Sequence, residues 1–66
     1  MTYTIRVENT LTGHARFTGE YTTLEDAIQR AQALASRTRS FTRYIVWTGH
    51  CKAVGEPTEH VFTGAL

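Results

Sequence analysis

At 66 residues, with seven basic and six acidic side chains and a formal charge of +1, the chain is too short to divide into domains and too nearly neutral to act through a uniform field. Mimicry of DNA by a strongly negative surface is excluded by that balance. The one cysteine, Cys51, rules out an internal disulfide; a lone thiol suits a reducing cytoplasm, so an intracellular protein is expected. No apolar run approaches the ~20 residues that span a bilayer, and Met1-Thr2-Tyr3-Thr4-Ile5-Arg6 lacks the basic-then-apolar order of a signal peptide. Neither a membrane nor an export role is expected.

Tyr3, Ile5 and Val7 alternate with Thr4, Arg6 and Glu8, the period of a strand with one buried face. Asn9-Thr10-Leu11-Thr12-Gly13 supplies turn residues, and residues 14–21 alternate again, with Ala15, Phe17 and Tyr21 expected on one side of a second strand. Thr22-Thr23-Leu24-Glu25 fits a capping box that opens a helix. Leu24, Ala27, Ile28, Ala31, Leu34 and Ala35 recur at helical spacing, and the weaker helix formers of residues 36–40 end the stripe. Residues 41–48 are dense in aromatic and β-branched side chains and apolar on both faces, and Gly49 opens the turn after them. Lys52-Ala53-Val54 is expected to pair back as a short strand, Gly55-Glu56-Pro57 to break the chain, and His60-Val61-Phe62-Thr63 to form a last strand.

These elements define a small α+β domain of ββαββ type over residues 1–66, an antiparallel sheet whose single helix covers one face. The other face is left open. If Ile45 and Trp47 pack under the helix with Ile5, Val7 and Phe17, then Tyr44 and Val46 face outward; in the opposite register Ile45 and Trp47 are exposed instead. A domain of this size buries only about 60% of the surface its unfolded chain exposes, so a partner is expected on that face. A homodimer is the simplest, and a larger protein the alternative.

The charges are uneven along the chain. Residues 27–55 hold Arg30, Arg37, Arg39, Arg43 and Lys52 with no acid, while all six acids lie before or after that stretch. Within this stretch Arg37, Arg39, Phe41, Arg43, Tyr44 and Trp47 interleave guanidiniums with rings, a pattern suited to single-stranded nucleic acid. It equally suits a protein interface, where Arg and aromatic residues carry much of the energy. Arg43, Tyr44 and Trp47 are therefore the expected contact residues, joined by Arg6 and Arg16 if these line the open sheet, with Arg37 and Arg39 added in a nucleic-acid mode.

Other chemistry is poorly provided for. His14, His50, Cys51 and His60 do not form a metal-ligand spacing, since adjacent His50 and Cys51 point apart in extended chain. Cys51 with a histidine lacks an orienting third group, and no Ser-His-Asp order or Gly-rich phosphate loop is present. No enzyme activity, metal or cofactor is expected. In size and hairpin–helix–hairpin layout the chain resembles small accessory proteins of bacteriophages and mobile elements, some of which inhibit host defence systems such as CRISPR effectors. With no catalytic constellation and a two-sided apolar strand at 41–48, a non-enzymatic protein-interaction module is expected; the resemblance implies that it inhibits or regulates a larger host protein and assigns no residue a role.

Overall fold

The computed structural model describes residues 2–49 and 55–66. Strands β1 (Tyr3–Asn9) and β2 (Ala15–Tyr21), helix α1 (Leu24–Ala35), and strands β3 (Thr42–Thr48) and β4 (Pro57–Thr63) follow in that order, giving the expected ββαββ arrangement. All neighbouring strands are antiparallel in one four-stranded sheet ordered β2-β1-β3-β4. Because β2 and β3 both oppose β1, they run parallel to each other, and α1 supplies the crossover that such a pair requires.

Asn9 shapes the first hairpin. Its Oδ1 accepts from the Leu11 and Thr12 amides at 2.9 and 3.1 Å, an Asx turn that ends β1. Farther along β2, the register slips between Tyr3↔Tyr21 and Ile5↔Thr18. Gly19 takes φ +75° there, a conformation that strains other residues, and Thr4 Oγ1 donates to the Thr18 and Gly19 carbonyls at 3.1 and 2.8 Å. This bulge corrects the expected alternation of β2. Tyr21 pairs with Tyr3 on the helix side, whereas Phe17 and Ala15 pair with Arg6 and Glu8 on the other side.

Thr23 is the N-cap, its side chain accepting from the Asp26 amide at 3.2 Å. The cap is one residue later than a Thr22–Glu25 box would place it, and Glu25 accepts instead from Gln29 Nε2 at 3.4 Å. The expected stripe is the one that faces the sheet: Ala27, Ala31 and Ala35 are buried, flanked by Leu24, Ile28 and Leu34. Their small size lets the helix sit close over Ile5, Val46 and Tyr44. Thr23→Ala is expected to lower stability by about 1 kcal/mol, the usual worth of an N-cap, read as a shift in urea midpoint.

One expectation for the C-terminal part changes. Pro57 does not break the chain but begins β4, where a missing N–H is tolerated. The expected strand at residues 52–54 lies outside the described residues. Residues 64–66 then run back along the helix exit. Gly64 donates to the Thr42 carbonyl, Ala65 to Ala35, Leu66 to Thr38, and the Ser40 amide donates to Leu66, all at 2.8–3.0 Å.

Candidate functional site

The register decides which residues share a face. Ile5↔Val46 and Val7↔Tyr44 pair beneath the helix, while Thr4↔Trp47, Arg6↔Ile45 and Glu8↔Arg43 pair on the open side. Tyr44 is therefore not an open-face residue. It is 7% exposed, and its hydroxyl lies 2.8 Å from Thr38 Oγ1, which donates to the Leu34 carbonyl. Arg16 pairs with Val7 and lies on the helix side too, away from Arg6 and Arg43.

Trp47 and Ile45 occupy the open face without being exposed there, at 7% and 8%. Phe17 meets the indole edge-on, with centroids 5.2 Å apart at 83°. The Arg6 guanidinium carbon stands 5.4 Å from the indole centroid, close enough for a cation–π contact. Next to this stack Glu8 ties the two face arginines together, 2.5 Å from Arg43 Nη2 and 3.9 Å from Arg6 Nη2. Ile45 pairs with Val61 on β4, which is 46% exposed.

Hydrogen bonding on this face is unbalanced. Arg6 Nε, Arg43 Nε and Trp47 Nε1 are buried N–H donors with no hydrogen-bond partner among the described residues, and all three belong to residues of the open face. Buried donors are normally paired, and an unpaired one costs about 1–3 kcal/mol.

A second feature follows from topology. The end of β1, the starts of β2 and β3, the end of β4 and the exit of α1 share one end of the molecule. His14, Arg16, Arg37, Arg39 and Arg43 gather there, with Glu8 the acid among them. The opposite end carries Glu20, Glu25, Asp26, Glu56 and Glu59. Charge is thus separated along a body of 31 × 22 × 18 Å. On the helix side of the basic end lies a groove of about 340 Å³, floored by Val7 and Tyr44 and walled by Thr38, Thr42, His14 and Arg16.

The Arg–aromatic run of residues 37–47 is consequently divided. Arg37 and Arg39 are exposed in the loop after α1, Arg43 and Trp47 belong to the open face, and Tyr44 lies beneath the helix. Glu8, Phe17 and Val61 complete the open face: the alternation of β1 already set Glu8 on the side of Arg6, Phe17 was expected with Ile5 and Val7, and Val61 had no assigned face. Glu8 opposite Arg43 becomes visible only when β1 is known to pair with β3. Among the described residues, no three His, Cys, Asp or Glu side chains converge as metal ligands; His50 and Cys51 lie outside them. No described helix is long and apolar enough to cross a membrane.

The fold and this face define a small α+β domain with one sheet surface under the helix and one that no described element covers. The chain matches no protein-family model, no curated protein and no solved structure.

Proposed function

We propose that the chain is a non-enzymatic protein-interaction module that docks the open sheet face on a larger protein and inhibits or regulates it by occupying its surface. The observation that carries this reading is the set of three buried, acceptor-less N–H groups on one face. The atoms themselves have no solvent contact, so a partner offering backbone carbonyls or carboxylates would pair with them as the partly exposed Arg6 and Arg43 side chains turn outward on docking. Arg, Trp and Phe are also the side-chain types that give interfaces most of their energy. Arg6, Arg43 and Phe17 are the contact residues in this reading, with Trp47 supporting them from beneath and Val61 at the rim.

Base stacking by a single-stranded nucleic acid is less well served, because both rings meant to provide the platform, Tyr44 and Trp47, are 7% exposed. The testing variant is Val61→Asp. Val61 is exposed on edge strand β4, so the substitution is expected to leave the urea midpoint nearly unchanged while placing an unpaired charge in the interface. Immobilised wild-type chain is expected to retain a partner that Val61→Asp and Arg43→Ala both release. Retention of the same partner by both folded variants would overturn the face assignment. Light scattering on the isolated chain separates the other occupant: a dimer dispersed by Val61→Asp would assign the face to a second copy.

A further inference from the structure

The groove at the basic end lies on the helix side of the sheet, across from the face considered above, and its chemistry is different. We propose that it binds an acidic polypeptide segment, seating one aliphatic side chain on Val7 and Tyr44 while flanking carboxylates meet Arg16, Arg37 and Arg39. This goes beyond the open-face reading and does not depend on it.

The volume of about 340 Å³ falls at the lower end of ligand pockets, about 300–1,000 Å³, enough for one or two side chains. Its floor is already fixed. The Tyr44 hydroxyl is held by Thr38, whose own hydroxyl donates to the Leu34 carbonyl at the helix exit. A site held in this way loses little freedom on binding.

The preference for acids comes from what surrounds the floor. Arg16 and His14 form one wall; Thr38 belongs to the other, and its chain neighbours Arg37 and Arg39 are exposed just outside the lining. No acid lines the groove. Glu8 is the acid of this end, but it belongs to the opposite face, where Arg6 and Arg43 engage it. It does not neutralise Arg16. The acids at the far end repel an acidic partner there and orient it toward the arginines, an effect that salt should weaken.

A polypeptide fits better than a nucleic acid. Bases need a broad exposed ring to stack on; Tyr44 in the floor is 7% exposed with its hydroxyl committed, and the exposed ring of the wall is the small imidazole of His14. An aliphatic side chain needs only the apolar floor.

The probe is a fluorescein-labelled peptide Glu-Asp-Leu-Glu-Asp-Gly, titrated with the full chain at low salt and read by anisotropy. Its Gln/Asn counterpart and a labelled thymidine octanucleotide are run beside it. The acidic peptide is expected to bind, to lose about tenfold in affinity on moving to high salt, and to perturb the amide resonances of Arg16, Thr38 and Thr42. Arg16→Glu combined with Arg39→Glu, both exposed positions, is expected to abolish binding with an unchanged melting curve. Arg30→Glu on the outer helix surface, and Val61→Asp on the other face, are expected to preserve it. The proposal is overturned if the neutral peptide binds equally, if the double variant binds as wild type does, or if only the oligonucleotide binds. Head-to-tail self-association detected by sedimentation, and lost in the double variant, would likewise give the groove to the acidic end of a second copy.

Discussion

Replacing Ile5 with alanine is expected to lower stability by about 2–5 kcal/mol, the largest loss of any single side-chain truncation in the core. Ile5 is fully buried, pairs with Val46 on β3 and Thr18 on β2, and packs in the cluster containing Ala27 and Ala31. Removing a large buried aliphatic side chain costs about 2–5 kcal/mol, the more so when neighbours cannot fill the space. Here the helix offers mainly alanines, whose side chains are too short to swing into a cavity. A domain of this length has a total stability of roughly 3–10 kcal/mol, so one substitution removes a large share of it. Ile5→Val, which deletes one methylene, should cost about 1 kcal/mol. Urea titrations followed by far-ultraviolet circular dichroism and by the fluorescence of Trp47 check both values. The single tryptophan lies on the opposite face of the sheet, so coincident transitions would show that the two faces unfold together. A wild-type midpoint for Ile5→Ala would disprove the assignment of the core.

Gly64→Ala is expected to cost about 3 kcal/mol, near the upper range for overpacking a closely packed site. A Cβ at this position would come within 2.7 Å of the Thr38 carbonyl oxygen and far closer to the carbonyl of Arg39. These are backbone atoms, and no rotamer change relieves the clash. The terminal segment must lift instead, weakening the bonds that join Ala65 to Ala35, Leu66 to Thr38 and Ser40 to Leu66. Gly13→Ala is the contrast: open space surrounds a Cβ there, but φ is +80°, and the left-handed conformation alone costs about 1–2 kcal/mol. Amide exchange identifies the mechanism. Gly64→Ala should speed exchange at Ser40, Ala65 and Leu66 beyond the global change, whereas Gly13→Ala should not. Because Thr38 walls the groove, Gly64→Ala should also weaken the acidic peptide; tight binding in a folded, destabilised variant would separate the terminal segment from the groove.

Much of the architecture was legible because it depends on short-range periodicity. The alternation of Tyr3, Ile5 and Val7 identified the buried face of β1, and the stripe from Leu24 to Ala35 identified the inner face of α1. In β2 the same reasoning failed at Gly19. A bulge inserts one residue into the pairing, so Phe17 and Tyr21, which share parity in the sequence, end on opposite faces. Strand 42–48, apolar at odd and even positions alike, contained no choice of face within itself. That choice came from β1, whose partners place Val46 and Tyr44 under the helix and Trp47 outside it.

The candidate sites depended still more on long-range pairing. Glu8 and Arg43 are 35 residues apart, and nothing local joins them. Trp47 escapes exposure because Phe17 from one strand and Arg6 from another pack against its ring. The basic and acidic ends were likewise scattered in the sequence, since reversing the chain at each connection folds distant charges onto the same end. By itself the sequence determined the kinds of element, their order and the inward stripe of the helix, because hydrophobic spacing and capping act within a few residues. Only the tertiary structure decided the face of β3, the grouping of the arginines and the existence of the groove, because those follow from strand order and register, which couple residues far apart in the chain.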